Sequence, residues 1–300
     1  MLAKTKNLKQ KMSQLNKLLD IIALKVLSED TFVGDSLFIG SPSVYGGQVL
    51  AQSLSASNRT VPLDKKLHSM HCYFINPGDN DLPITYKVVE IKSGKSFNTR
   101  RVIATQQSYK GVREIFVMSC SYQRMEEGIE HQATMPNVAR PESLTSFSEI
   151  FAEFAAKFNI EPRGIFAPDG PFVFYPVEHY DPFNPRIRAA INHTWFKTNG
   201  NLPSDDQRLH QTALAYASDF NLLITALLPH GMSFFTTPMQ IASLDHSMWF
   251  HRPVKADDWL LYVVESSNAN AGRAFCTGKI FDKSGELIAS TAQEGLIRKL

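Results

Sequence analysis

The sequence predicts an α+β protein built from two similar units, each with one long helix packed across an antiparallel sheet. The first observation behind this prediction is an internal repeat. When Pro77 is placed on Pro253, an offset of 253 − 77 = 176, Phe74 falls on Phe250. At the same offset further residues match without a gap: Tyr73 with Trp249, Ile84 with Leu260 and Tyr86 with Tyr262. This many matches in order indicate that the chain arose by duplication.

The second observation is that each half has an apolar helix followed by several strands. The long predicted helices are 47–57 and 210–228; alanine and leucine dominate the second, and Pro229 ends it. A shorter helix is predicted near Ser13, with an apolar face made of Leu15, Leu18, Leu19 and Ile22. The predicted strands begin at Ile84, Thr99 and Glu114 in the first half and at Trp259, Ala274 and Leu287 in the second.

These elements divide the chain into a first domain at 13–124, a connecting segment at 125–185 and a second domain at 186–300. Within the connecting segment, Ser146 and Glu149 form the pattern of a capping box before an apolar helical face, so one helix is expected there. The rest of the segment combines prolines with many aromatic residues, which favours a packed crossover over a free linker. We therefore expect the two halves to form one rigid body.

The composition excludes several classes of protein. The 300 residues are 43% hydrophobic and 20% charged, with 31 basic and 29 acidic side chains, and the formal charge is +2. A charge this close to neutral creates no strong electrostatic attraction for nucleic acid. No apolar run of the sequence is long enough to span a membrane. Cys72, Cys120 and Cys276 are odd in number and widely spaced, which fits neither a disulfide framework nor a metal site. We expect a reducing compartment and no metal.

Common catalytic motifs are missing from the sequence. It has no GxSxG, Walker, GxGxxG, HExxH or paired CxxC pattern, so serine hydrolase, nucleotide and zinc chemistry lack support. A reaction without a cofactor is favoured. The stretch ASLDHSMWFHRP concentrates Ser243, Asp245 and His246 on a predicted strand, but alternation sends successive side chains to opposite faces. We expect no triad there, and for His246 and His251 we favour a structural role, hydrogen-bonded at a strand edge, over the alternative of a catalytic one.

Two polar residues interrupt segments that are otherwise built for burial. Asp219 lies in YASDFNLL, where an ionised carboxylate is costly unless partners satisfy it. Asp219 is either a catalytic residue or a structural one. In the structural case its carboxylate caps a nearby backbone segment or pairs with an arginine. Gln293 interrupts the last apolar strand, in ASTAQEGLI, and taken alone would be regarded as structural.

At these residues the sequence resembles the type II acyl-CoA thioesterases, the double-hotdog enzymes of bacteria and peroxisomes. The similarity runs nearly end to end. It is carried by YGGQVLAQSL from Tyr45, HSMHCYFINPGD from His68, LAYASDFNLL from Leu214, IASLDHSMWFHRP from Ile241 and STAQEGLIR from Ser290. The resemblance implies two fused hotdog domains and explains the repeat independently.

The resemblance also implies site residues and a reaction. The family's catalytic aspartate falls on Asp219, its hydroxyl residue on Ser243 and its glutamine on Gln293. In this family these groups bind a water molecule and direct it at the thioester carbonyl of a fatty acyl-CoA, without a covalent intermediate. A helix amino end at Gly46, Gly47 and Gln48 is our candidate for the oxyanion amides; plain helix packing is the alternative.

Two other functions compete with the thioesterase prediction: a hotdog hydratase or dehydratase acting on acyl-CoA, and an acyl-CoA sensor without catalysis. The resemblance further implies a homo-oligomer, a dimer or a tetramer. The chain ends in Arg298, Lys299 and Leu300, which resembles a peroxisomal address but has arginine where a small residue belongs. A cytoplasmic location is therefore expected, with a peroxisomal one as the alternative.

Overall fold

The structure, a computed structural model, describes residues 13–158, 167–178 and 181–300. Residues 159–166 and 179–180, in the proline-rich part of the predicted connecting segment, lie outside the described residues. The helices are α1 Gln14–Ile22, α2 Gly46–Asn58, α3 Phe147–Phe158 and α4 Gln207–Ser218, with 3-10 helices at Pro141–Ser143 and Leu223–His230. The strands are β1 Lys25–Ser28, β2 Thr31–Gly34, β3 Lys65–Phe74, β4 Ile84–Ser93, β5 Phe97–Ser108, β6 Gly111–Arg124, β7 Phe172–Pro176, β8 Ile191–Thr198, β9 Met239–Ser243, β10 Asp245–Phe250, β11 Leu260–Asn270, β12 Arg273–Asp282 and β13 Leu287–Lys299.

The strands of the described residues form one antiparallel sheet whose centre is a seam between the two halves. Its order is β1-β2-β4-β5-β6-β3-β10-β13-β12-β11-β8-β7, with β9 also paired to β13. At the seam β3 pairs with β10, and His71 lies opposite Ser247. Their separation is 247 − 71 = 176, the offset of the sequence repeat, so an approximate two-fold axis passes between them. The predicted duplication is thus visible in the strand register.

Helices α2 and α4 pack against each other in opposite directions, and α2 also contacts β4, β5 and β6. At one end the Tyr45 hydroxyl, just before α2, donates to the Tyr216 carbonyl near the end of α4, at 3.0 Å. At the other end Arg208, in the first turn of α4, donates to the carbonyls of Asn58, Val61 and Pro62. Because helix C-termini leave carbonyls without intrahelical partners, this arginine caps α2 from the other half of the protein.

The predicted first helix is confirmed. The Ser13 side chain accepts a hydrogen bond from the Asn16 backbone N–H at 3.1 Å, which is the N-cap geometry. Leu15, Leu18 and Ile22 are buried, and Leu19 packs against the same core while partly exposed. The spacing of these residues places the apolar face of α1 against α2.

The predicted continuous helix at 210–228 is wrong. Helix α4 ends at Ser218, Asp219 is its C-cap, and a 3-10 helix follows at Leu223–His230. Between them Asn221 has a φ of 64°, in the left-handed region that asparagine tolerates better than most residues. Alanine and leucine favour a helix on both sides of the break, but the requirement to turn the chain beside Asp219 overrules this preference.

The connecting segment contributes a strand that was not predicted. Strand β7 pairs with β8 at one edge of the sheet, with Pro171 just before it and Pro176 at its end. Prolines obscured this strand in the sequence, and an edge position tolerates them. Earlier in the segment, Trp195 Nε1 donates to the Ala139 carbonyl at 2.9 Å, so that part is packed on the second half. We propose the boundaries at 124 and 185 for the two units.

We expect Arg208→Met to lower the free energy of unfolding by about 2–4 kcal/mol, because three carbonyls lose charge-assisted hydrogen bonds. Urea denaturation followed by circular dichroism measures this change. The matched control is Arg101→Met, because Arg101 is exposed on β5. Equal stabilities of the two variants would contradict the capping role.

Candidate active site

Asp219 lies where the chain turns after α4, and three different elements donate to its carboxylate. Ser243 Oγ on β9 donates to Oδ1 at 3.1 Å, and Gln293 Nε2 on β13 donates to Oδ1 at 3.0 Å. The Gly47 backbone N–H at the start of α2 is a third donor. Gln293 Nε2 also donates to Ser243 Oγ. The structure thus brings together the three residues predicted from the sequence, with a first-half helix beside them.

The environment of Asp219 raises its basicity. Removal from water raises the pKa of the carboxyl group from 3.8 to about 6, against the lowering effect of the bonds from Gln293, Ser243 and Gly47. Desolvation therefore outweighs three hydrogen bonds to the charged form. A carboxylate with a pKa of about 6 is ionised at neutral pH and is a better proton acceptor than an ordinary aspartate.

The register of β13 explains why Ser243 and Gln293 meet. Ser243 on β9 lies opposite Gly295, and Gln293 is two residues away on the same face of β13. A side chain at 295 would not fit, since a Cβ there would lie 2.1 Å from Leu223 Cδ1. Glycine thus lets the 3-10 helix approach the sheet. Because this 3-10 helix lies close to the sheet, the turn at Asp219 that precedes it lies next to Ser243 and Gln293.

His246 is buried behind this group and does not form a triad with Ser243. Its Nδ1 lies 2.9 Å from Gln293 Oε1, and its Nε2 lies 3.0 Å from Ser218 Oγ. His246 is hydrogen-bonded as predicted, but its predicted place at a strand edge is wrong, because β10 lies between β3 and β13. His251 lies beyond the end of β10, where its Nε2 is 2.9 Å from Ser290 Oγ.

The three residues predicted at the helix amino end have different surroundings. Gly46 packs directly on the carboxylate: a Cβ there would lie 2.5 Å from Asp219 Oδ2. The Gly47 N–H bonds Asp219, while the Gln48 N–H bonds the Tyr45 carbonyl at 3.0 Å. The Gln48 side chain accepts from Leu37 N and is buried. A role as oxyanion donor stays a prediction, and the geometry directs it to Gly46, whose N–H lies in the first turn of α2.

A cavity of about 770 Å³ opens onto Asp219. Gly46, Ser243 and Gln293 also line it, and most of the remaining wall is apolar. The wall includes Tyr45, Val49, Phe74, Ile115, Phe234 and Ile241. A mostly apolar cavity of this size with a few convergent polar groups is typical of a site for a small-molecule ligand.

Sequence reasoning missed two contributors to this site. Ser218 bonds His246, and Phe74 packs where a Cβ on Gly46 would meet its ring, at 2.9 Å. Ser218 directly precedes Asp219, and Phe74 lies in HSMHCYFINPGD, but nothing in their type signals a role. Across the described ranges no group of three or more His, Cys, Asp or Glu residues is placed to hold a metal ion. Nor does any described helix have the length and apolarity to cross a membrane.

A pair of antiparallel helices packed together on one antiparallel sheet with two-fold repeated halves, and a desolvated carboxylate between those halves, defines a double-hotdog protein. Comparison with family models agrees: residues 37–123 match the acyl-CoA thioesterase N-terminal domain, and residues 165–296 match acyl-CoA thioesterase. The chain belongs to the type II acyl-CoA thioesterase family.

Individual relatives cover nearly the whole chain. Acyl-CoA thioesterase 2 of Haemophilus influenzae is 41% identical over 95% of this chain and 98% of its own. Human acyl-coenzyme A thioesterase 8 is 34% identical over 93% of this chain and 88% of its own. The crystal structure of an acyl-CoA thioesterase II from Mycobacterium marinum is 35% identical, has a TM-score of 0.75 and covers 94% of this chain and 98% of its own.

We expect Gly46→Ala to lower turnover of the site's substrate by about ten- to a hundredfold, because its methyl group would push the Asp219 carboxylate out of place. The matched control is Gly128→Ala, since a Cβ at Gly128 meets nothing within 4 Å. Steady-state kinetics of the two variants measure the difference. Equal turnover would show that close packing at Gly46 is not needed.

We expect Asp219→Asn to raise the free energy of unfolding at pH 7.5 by up to about 3 kcal/mol. The folded pKa of about 6 exceeds the ordinary 3.8, so Asp219 favours folding fully below about pH 4, and this contribution is lost as the pH rises through 6. The variant's advantage should fall to about half at pH 5. Urea denaturation at the two pH values measures it, and an advantage independent of pH would contradict desolvation as the cause.

Proposed function

We propose that this protein hydrolyses acyl-CoA thioesters to a free fatty acid and coenzyme A by direct attack of a water molecule. The observation that carries this proposal is the convergence of Asp219, Ser243 and Gln293 at one end of an apolar cavity. The cavity suits a fatty acyl chain, and the carboxylate suits activation of water. The names of the relatives, acyl-CoA thioesterases of bacterial and human origin, support the same substrate class.

In the proposed reaction Asp219 is the general base. A water molecule donates to its carboxylate, while Ser243 and Gln293 place the water oxygen in line with the thioester carbonyl. As the new C–O bond forms, one water proton passes to Asp219. When the C–S bond breaks, the coenzyme A sulfur takes that proton, which restores the carboxylate and balances the reaction. General-base assistance of this kind is worth about 10² to 10⁴ in rate.

The carbonyl oxygen needs a donor while it carries negative charge. We propose the Gly46 N–H for this role, because it lies in the first turn of α2 and glycine permits close approach. The partial positive charge of the α2 amino end favours an anion at the same place. Gly47 has a different role, since its N–H bonds the base itself.

The hydratase or dehydratase alternative is less compatible with the site. Such chemistry needs an acid/base histidine or similar pair at the substrate, whereas both ring nitrogens of His246 have protein partners and the residue is buried. The sensor alternative predicts binding without turnover. Calorimetry with acyl-CoA, combined with a thiol-release assay, separates it from the enzyme.

We also propose that the protein is a cytoplasmic homo-oligomer, a dimer or a tetramer. Two-domain hotdog chains offer sheet edges for further pairing, and strand β1 is such an edge, with Val26 and Leu27 exposed. Light scattering after gel filtration measures the number of chains.

We expect release of coenzyme A from palmitoyl-CoA, with Asp219→Ala reducing kcat/KM by about 10² to 10⁴. In the unmodified protein kcat/KM should fall as the pH drops below about 6, because protonated Asp219 cannot accept the water's proton. A thiol reagent follows the reaction.

The matched control is Asp245→Asn, because Asp245 is also a part-buried carboxylate but accepts from the Glu294 backbone N–H at 2.7 Å and does not line the cavity. This variant should keep the parent rate. A loss of less than about tenfold in Asp219→Ala, roughly 1.4 kcal/mol of barrier, would contradict Asp219 as the base.

A further inference from the structure

We propose that His246 is a positioning residue that holds the Gln293 side-chain amide in its reactive orientation, an inference that rests on the proposed hydrolysis. The geometry behind it is a continuous chain of hydrogen bonds. It runs from Ser218 through His246 and Gln293 to Ser243 and Asp219. His246 makes no contact with the cavity and acts only through Gln293.

The carboxylate of Asp219 imposes an orientation on the Gln293 amide. An ionised carboxylate only accepts hydrogen bonds, so the amide must present its NH₂ group to Asp219 Oδ1 and its oxygen elsewhere. The opposite orientation would place the amide oxygen beside the carboxylate and remove the donor to Ser243. The two orientations of an amide have nearly the same shape, so packing alone does not choose between them. A hydrogen-bond partner on the oxygen side is needed.

His246 Nδ1 is that partner, 2.9 Å from Gln293 Oε1. Since the amide oxygen only accepts, Nδ1 must carry the hydrogen. Burial lowers the pKa of His246 to about 4, so the ring is neutral near pH 7 and Nε2 has a free lone pair. Ser218 Oγ, 3.0 Å away, can donate to that lone pair. The Nδ1–H tautomer therefore satisfies the Gln293 amide oxygen and leaves Nε2 able to accept from Ser218.

The direction of donation is then the same along the whole chain. Ser218 donates to His246, His246 to Gln293, Gln293 to both Ser243 and Asp219, and Ser243 to Asp219. The Ser218 hydroxyl also donates to the Ala215 carbonyl at 2.9 Å, so its single hydrogen is shared between that carbonyl and His246 Nε2. From His246 onward the hydrogens thus point towards the carboxylate, and a reversed Gln293 amide would set its oxygen against Asp219 Oδ1.

The location of His246 makes this orientation rigid. The residue is fully buried on β10, which pairs with β3 on one side and β13 on the other. Ser218 is equally buried at the last position of α4. A buried hydrogen-bonded network restricts the orientations of its members, whereas a surface glutamine would sample several. Because the paired strands hold His246 in place, His246 in turn fixes the Gln293 side-chain amide, which orients the water molecule.

The test compares kcat and KM for palmitoyl-CoA in two variants of His246. His246→Leu removes the donor but keeps an apolar side chain of similar size, and should lower kcat by about ten- to a hundredfold with KM within about threefold. His246→Asn keeps an N–H near the Nδ1 position and should recover at least about tenfold of that loss. The matched control is His251→Leu, because His251 bonds Ser290 outside the site, and it should keep the parent kcat.

A double-variant cycle separates positioning from a general loss of packing. In a Gln293→Ala background His246→Leu should have almost no further effect on kcat, because the amide it positions is gone. A loss of the same size in both backgrounds would overturn the proposal. So would equal losses in His246→Leu and His246→Asn.

The tautomer of His246 gives a readout that needs neither turnover nor a folded His246 variant. ¹⁵N NMR of the unmodified protein, with the signal assigned by its change in Gln293→Ala, should show a protonated Nδ1 and an unprotonated Nε2. A hydrogen on Nε2 with none on Nδ1 would overturn the proposal. If the parent protein released no coenzyme A, the proposed function would fail while the tautomer still decided whether His246 positions Gln293.

Discussion

The removal of one carboxylate from water is the constraint around which this structure is organised. Asp219 remains ionised at neutral pH only because a hydroxyl, an amide and a backbone N–H surround it, and these come from β9, β13 and α2. Its basicity arises from the same desolvation that makes it costly. Stability and reactivity are therefore opposed at this residue, as is common where a fold supports a functional group.

The two halves contribute to this site unequally, although their scaffolds match. The two-fold axis at His71 and Ser247 relates positions 176 residues apart, so His246 corresponds to Met70, at 246 − 176 = 70. By the same arithmetic Ser243 corresponds to Leu67. The first half thus has apolar side chains where the second has its polar network, and it supplies instead the amino end of α2. Both halves have kept their part of the sheet and their long helix after the duplication, but only the second half has the polar network.

Sequence patterns were sufficient for the elements whose environment is regular along the chain. Helix 47–57 and the strands beginning at Ile84 and Ala274 are found within a few residues of their predicted bounds. The patterns failed where a tertiary contact overrode local preference. The run 210–228 is rich in alanine and leucine, yet the helix breaks after Ser218 because the chain turns there. Strand β7 was missed because its flanking prolines are acceptable only at a sheet edge, which the sequence does not reveal.

The sequence by itself determined the duplication, the two-layer α+β architecture and, through its resemblance to a family, the identity of three site residues. Those properties can be read from the order and the types of the residues along the chain, without knowledge of which residues are in contact. Only the tertiary structure decided which atoms meet. Ser243 and Gln293 reach Asp219 across 24 and 74 residues of chain, and His246 faces Gln293 only through the β10–β13 register. Hydrogen-bond direction, desolvation and strand register are properties of groups brought together from distant parts of the chain, so they exist only in the folded molecule.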